Sequence, residues 1–217
     1  MKYLILDFNG TVINDVDISI AAINFTAKKY LVRDYISKEE YLNVFTFPVK
    51  NYYEALGFDF EKLSWEEVGK CWMDQYQIHR NEAKVFDGVK DLLIKAHNLG
   101  YKTVVLSASE IELLKSQLKE LGIYDYFDVI LGIDNIYASS KLPVALNFMK
   151  DKNPKDCIFV GDSRHDKEVA DAMGVKCYLV AKGHESKERL LKISNNVLDD
   201  IKEVELWELV NHKIYID

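Results

Sequence analysis

The chain has 217 residues, 48% of them hydrophobic and 29% charged, with a net charge of −7. That is the balance of a globular chain with one large domain, or one domain plus a small insertion. The acidic balance, with no long Lys/Arg run, excludes binding to a phosphate backbone, so no nucleic-acid partner is expected. No apolar run approaches the roughly 18 residues of a membrane helix, and the N-terminus passes straight into strand-like sequence with no signal-peptide pattern. The three cysteines, Cys71, Cys157 and Cys177, lack metal-ligand spacing, and Cys157 and Cys177 sit in apolar runs as small hydrophobes. A reducing, cytoplasmic setting without a membrane partner is expected.

Taken in chain order, the first element is a strand at Tyr3–Leu6 that runs into Asp7-Phe8-Asn9-Gly10-Thr11. The region from about Asn14 to Lys84 then carries helical spacing and many aromatics but no strand pattern. Four helices are predicted there, at Asp17–Leu31, Lys38–Phe45, Val49–Leu56 and Trp65–Arg80, punctuated by Pro48 and Gly57. Beyond it, strands at Thr103–Leu106, Val129–Leu131, Cys157–Val160 and Cys177–Val180 alternate with helices. Of these helices, Asp87–Asn98 is closed by Gly100, Glu110–Leu121 by Gly122, and Asp166–Met173 by Gly174. The stretch Val197–Val210 reads as a last helix packed on the sheet. Alternating strands and helices predict an α/β fold, a Rossmann-like three-layer core with a parallel sheet and a helical insertion after its first strand. The expected division is a core of residues 1–13 and 85–217 and a cap of residues 14–84, with hinges near Ile13–Asp15 and Ala83–Asp87.

In such sheets, chemistry collects at the carboxyl ends of the strands. Four signals lie at such ends: Asp7-Phe8-Asn9-Gly10-Thr11, then Ser107 after Val104–Leu106, then Lys141 in Ala138-Ser139-Ser140-Lys141-Leu142-Pro143, and finally Gly161-Asp162-Ser163-Arg164-His165-Asp166. Ser163 also reads as the N-cap of the helix that follows, and His165 as a solvent-facing bystander. A strand-end carboxylate can act as a nucleophile toward phosphorus, and a group of acids suits a hard dication.

In this order and spacing the four signals resemble the haloacid dehalogenase-like hydrolase superfamily. The similarity is to the phosphatase branch with a helical cap after the first motif, which includes phosphoglycolate phosphatases and β-phosphoglucomutase-like proteins. The resemblance spans essentially the whole chain. It implies that Asp7 attacks phosphorus to form an aspartyl-phosphate. It implies Mg²⁺ held by Asp7, the backbone carbonyl of Asn9, Asp162 and Asp166. Ser107 and Lys141 would bind the phosphoryl oxygens, and Lys141 would ease repulsion among the carboxylates.

The chain departs from the family pattern at Asn9, where those phosphatases carry a second aspartate as general acid/base. An amide donates and accepts hydrogen bonds but carries no proton between water and a leaving group. The sequence leaves four alternatives: a slow Mg²⁺-dependent phosphatase, a binder of a phosphorylated ligand without turnover, an engineered Asp→Asn change, and a carbon–phosphorus bond-cleaving relative using Lys50 as a Schiff base. A small phosphorylated metabolite is the expected substrate. Phe45, Phe47, Tyr52 and Tyr53 are the aromatics expected nearest to it, with at least two of them also packing the cap. Oligomeric state is not encoded legibly.

Overall fold

The computed structural model describes residues 1–133 and 140–207. Its first elements are β1 (Lys2–Leu6), β2 (Ile13–Asn14), α1 (Val16–Lys29), α2 (Lys38–Val44), α3 (Val49–Ala55), α4 (Trp65–His79) and β3 (Lys84–Val85). Then follow α5 (Val89–Asn98), β4 (Tyr101–Glu110), α6 (Ile111–Glu120), β5 (Val129–Ile133), α7 (Leu142–Met149) and β6 (Cys157–Gly161). The last are α8 (Arg164–Met173), β7 (Lys176–Val180), α9 (Lys187–Leu191) and β8 (Val197–Leu198).

Six strands form one sheet in the order β5-β4-β1-β6-β7-β8, and every pairing is parallel. The period of two along each strand sorts side chains to two cores. From β1, Leu4 and Leu6 face α5 and α6, where they meet Leu92, Leu93, Leu114 and Leu118. Ile5 points to the other face and packs with Ala145 of α7, Val169 and Met173 of α8 and Leu190 of α9. Both faces are therefore covered, as a fully parallel sheet requires. This is the predicted three-layer α/β core.

The four helices predicted between the first two core strands are present, each within two residues of its expected bounds. Ser37 and Ser64 set the starts of α2 and α4 by accepting hydrogen bonds from the Glu40 and Glu67 backbone N–H groups. These helices hold an apolar core of their own, built on Val16, Ile23, Ile36, Tyr41, Tyr53 and Val68. The chain enters and leaves this region side by side. Ile13 pairs with Val85 and Asn14 with Lys84 in the antiparallel β2–β3 ribbon, where the two hinges were expected.

Two expectations need correction. Val197–Val210 is not one helix. Val197 and Leu198 add β8 to the sheet edge through the pairs Leu179–Val197 and Val180–Leu198, and a single 3₁₀ turn follows at Ile201–Glu203. Its apolar three-residue spacing arises because Leu198, Ile201 and Val204 all reach the α5 side of the core. Residues 208–210 of that stretch lie outside the described residues, as do Ala138 and Ser139 of the third motif. Second, β4 continues to Glu110, past the expected end at Leu106, and its register against β5 shifts between those residues.

Asp128 fastens the start of β5 to β4. It accepts from the Thr103 backbone N–H at 2.9 Å and from Lys102 Nζ at 2.6 Å, and His97 Nε2 lies 3.1 Å away. Burial pushes its pKa up, but Lys102 and the Thr103 N–H outweigh this and hold it at about 2. The folded value lies below the ordinary one, so this stabilisation is complete above about pH 4 and fades as pH falls toward 2. Urea denaturation should show Asp128→Asn to be less stable by about 1–2 kcal/mol at pH 7. The gap between variant and parent should close as the pH is lowered through that window.

Candidate functional site

Phe8 is fully buried in the core, so the alternation of the chain turns Asp7 and Asn9 to the same side, away from it. Asp7 is anchored where β1 leaves the sheet, its backbone N–H donating to Val160 of β6 at 2.9 Å. Asp162 and Asp166 arrive from the end of β6 and the first turn of α8. All three carboxylates are buried, and one ligand oxygen from each falls within a 4.8 Å cluster.

Lys141, at the start of α7 and 2% exposed, reaches into this cluster. It pairs with Asp7 and, at 2.5 Å, with Asp166. Asp166 is the most committed of the acids. Its Oδ2 accepts from Ser163 Oγ at 2.6 Å and from the Ser163 backbone N–H at 2.9 Å, closing a capping box at the head of α8. Ser163 is thus the helix cap that the sequence predicted.

One ammonium among three buried carboxylates leaves the cluster short of positive charge. Burial raises the pKa of Asp7 well above the usual carboxylate range, and the neighbouring Asp166 and Asp162 add to the effect against the pull of Lys141. Burial and Asp166 lift Asp162 to about 7. In Asp166 the Lys141 ammonium overcomes burial and the pKa falls. An all-oxygen donor set with excess negative charge fits a hard divalent cation.

Glycines let the backbone close on these acids. A methyl added at Gly183 would overlap the Asp162 carboxylate, and one at Gly161 would overlap the side chain of Asp166. Gly10, at φ +75°, adopts a turn that L side chains rarely take, and a methyl there would strike Asp162 and His184.

Asn9 sits beside the cluster in a second network that local sequence patterns do not announce. Its Nδ2 donates to Asp15 Oδ2 at 2.7 Å, and the Tyr76 hydroxyl, 3.0 Å from that nitrogen, donates to the same oxygen at 2.8 Å. Asp15 Oδ1 accepts from the Gly10 backbone N–H at 3.0 Å and faces His184 Nε2 at 3.1 Å. The other ring nitrogen of His184 lies 3.0 Å from the Tyr41 hydroxyl. Burial depresses the His184 pKa, but Asp15 outweighs it and raises it to about 9, so at neutral pH both ring nitrogens donate. The same pairing overcomes burial to lower the pKa of Asp15. On its other side, Ser107 Oγ donates to Ser109 Oγ at 3.0 Å, and Ser109 donates to Asn9 Oδ1 at 3.3 Å.

Asp7, Asn9, Ser107, Lys141, Asp162 and Asp166, the six residues singled out in the sequence, all line one cavity of about 480 Å³. Asp15, Tyr76, Ser109 and His184 line it too and were not singled out. His184 follows the end of β7, so the strand-end rule applied to the other motifs would have found it. His165 is not solvent-facing. Its ring stacks on Phe47 with centroids 4.5 Å apart. Phe45, Phe47, Tyr52 and Tyr53 all reach the cavity, and Phe45, Tyr52 and Tyr53 belong to the core of the four helices as well. Lys50 does not line the cavity but lies over the Phe60 ring, 5.3 Å from its centroid, so the geometry gives no support to a Schiff base there.

Residues 4–180 match the family model described as haloacid dehalogenase-like hydrolase. Among curated relatives, the chain is 24% identical over 192 residues to the pyrophosphatase PpaX of Bacillus pumilus, covering 87% of each chain. It is 25% identical over 199 residues to a phosphoglycolate phosphatase of Vibrio vulnificus, covering 85% of each. Among solved structures, a protein of Clostridium acetobutylicum described as a predicted phosphatase superposes with a TM-score of 0.73. It is 22% identical, and the match covers 93% of this chain and 95% of that one.

The Asn9 network implies a double-mutant result. Asn9→Asp sets a second carboxylate against Asp15, so at pH 7 it should cost about 2 kcal/mol and lower the melting temperature. Adding Asp15→Asn restores an amide–carboxylate pair with the roles exchanged, and should recover most of that loss. Thermal denaturation of the two single variants and the double variant reads the coupling directly.

Proposed function

The chain belongs to the haloacid dehalogenase-like hydrolase family, and from that premise we propose that it is a Mg²⁺-dependent phosphatase acting on a small phosphorylated metabolite. The observation that carries this reading is the buried cluster of Asp7, Asp162 and Asp166 around Lys141, at the carboxyl ends of neighbouring strands. Asp7, Asp162, the Asn9 carbonyl and Asp166, directly or through water, would hold the dication. When bound, it neutralises charge on the transferring phosphoryl group.

The chain's own residues supply the rest. Lys141 and Ser107 hold the phosphoryl oxygens in line with Asp7. An Asp7 carboxylate oxygen attacks phosphorus, the bond from phosphorus to the leaving oxygen breaks, and that oxygen departs with the electron pair. An aspartyl-phosphate remains on Asp7, and water then attacks its phosphorus to release inorganic phosphate and restore the carboxylate. Asn9 can give no proton to the leaving oxygen, because its amide N–H groups are not acidic and one is held by Asp15. The leaving group takes its proton from solvent. The four helices α1–α4 act as a cap, hinged at the β2–β3 ribbon, that excludes bulk water from the attacked phosphorus.

Two measurements test this. Release of phosphate from p-nitrophenyl phosphate should require Mg²⁺, be abolished by chelation, and fall on the order of 10⁴-fold or more in Asp7→Asn. Across a series of substituted phenyl phosphates, kcat/KM, which reports the step that releases the phenol, should drop steeply as the leaving phenol becomes more basic, since nothing protonates it. A flat dependence would mean that an acid is at work and that the assignment at position 9 is wrong. Mg²⁺-dependent binding of phosphate without turnover of any ester would make the protein a binder instead.

A further inference from the structure

The cavity above the carboxylate cluster is walled by rings. Phe47, Trp65, Trp72 and Tyr76 line it together with Met73 and Leu113. Trp72 stacks on Tyr76 at 5.1 Å with 17° between the ring planes, a flat surface standing beside the site. Gln117 of α6 also lines the cavity and is 8% exposed, and its Nε2 makes no well-formed hydrogen bond among the described residues, with the Tyr76 hydroxyl its neighbour. A buried donor left unmatched in an apolar wall is costly unless a ligand atom satisfies it.

The charges in the cavity are as telling. Among the described residues each of its lysines, and His184, already faces a carboxylate. Lys70 is paired with Asp74 at 2.6 Å, Lys141 with Asp7 and Asp166, and His184 with Asp15 at 3.1 Å. Glu66 and Glu110 add negative charge around the wall. A leaving group bearing a carboxylate or a second phosphate would find no uncommitted cation there and several anions. The two curated relatives described above are named for such substrates, a phosphoglycolate and a pyrophosphate.

We propose that the substrate of this site is an aryl phosphate, a phosphate monoester whose leaving group is a phenol-type ring with no further charge that stacks against the Trp72–Tyr76 surface and offers a hydrogen-bond acceptor to Gln117. This rests on the phosphatase reading above. It joins the cavity to the change at position 9: a phenol leaves as a stabilised phenoxide, so the P–O bond can break without a general acid, and the phenoxide is protonated by solvent. An alkyl leaving group would need the acid that Asn9 cannot be.

The test compares the intact protein on phenyl phosphate, 2-phosphoglycolate, glycerol phosphate and pyrophosphate with Mg²⁺ at neutral pH. A parallel measurement uses the non-hydrolysable phenylphosphonate and phosphonoacetate as probes of thermal stabilisation. The expected result is a kcat/KM for phenyl phosphate at least about tenfold above the others, with phenylphosphonate raising the melting temperature more than phosphonoacetate does. The binding comparison removes the advantage that phenol has as a leaving group. Trp72→Leu and, separately, Phe47→Leu should each raise KM for phenyl phosphate about three- to tenfold, with less effect on glycerol phosphate. Equal or better turnover of 2-phosphoglycolate or pyrophosphate, or stronger protection by phosphonoacetate, overturns the aryl assignment and leaves the phosphatase reading standing. No Mg²⁺-dependent turnover of any of the four overturns both.

Discussion

Three carboxylates buried around one ammonium form the constraint on which the rest of this structure depends. Removed from water, Asp7, Asp162 and Asp166 repel one another, and Lys141 compensates only part of that repulsion. The fold meets the remainder with polar groups drawn from several elements. Thr11 and the His184 backbone N–H donate to Asp162, while Ser163 and two backbone N–H groups at the head of α8 donate to Asp166. Such close approach is possible only where the intervening backbone has no side chain, as at Gly183. A cluster assembled at this cost and still short of positive charge fits a hard cation better than it fits passive packing.

Asn9 belongs to that balance. A carboxylate at position 9 would add a negative charge to Asp15 next door and stand close to the three acids of the cluster. The amide instead gives a hydrogen bond to Asp15, which is neutralised on its far side by His184. The negative charge that position 9 lacks is present six residues later, in a pair that ties the β1 loop to the loop after β7. His184 extends the tie to Tyr41 of α2, and Tyr76 brings in α4. Position 9 is therefore not a simple deletion of a working part. Its neighbours are arranged around an amide, which is why reinstating the acid alone sets two carboxylates against each other.

Much of the fold was legible because its signals are local. Unbroken apolar runs at Leu4–Leu6 and Ile158–Val160 announce strands buried on both faces, and Gly174 and Ser163 mark the ends of α8 within a few residues of its apolar stripe. The strand ends then point to Asp7, Ser107 and Asp162 without knowledge of the tertiary structure. What was not legible depends on distant partners. Tyr76 and His184 lie 61 and 169 residues from Asp15, and although His184 follows a strand end, nothing in the local spacing of Asp15 or Tyr76 distinguishes them from surface polar residues. Val197–Val210 was misread for the same reason. The spacing of Leu198, Ile201 and Val204 records which side of the core they reach, and an extended edge followed by one tight turn satisfies it as well as a helix does.

The apolar wall and the unusual residue at position 9 come from separate parts of the chain, yet they bear on one quantity, the fate of the leaving oxygen. Where a general acid is present, the oxygen's basicity matters little and a cap is free to select for charge. Without one, the barrier rises with that basicity, and only a leaving group able to carry its own negative charge escapes readily. Aromatic rings have that property, and they are also what a surface such as Trp72 on Tyr76 binds without any cation. On the proposed reading, an amide in place of the acid would narrow the chemistry that the site can perform, and the rings of α4 and the Phe47 segment would narrow what it can hold in the same direction. Were the wall lined with free lysines, the two features would pull apart, the cavity recruiting charged alkyl esters that the reacting centre is poorly equipped to cleave.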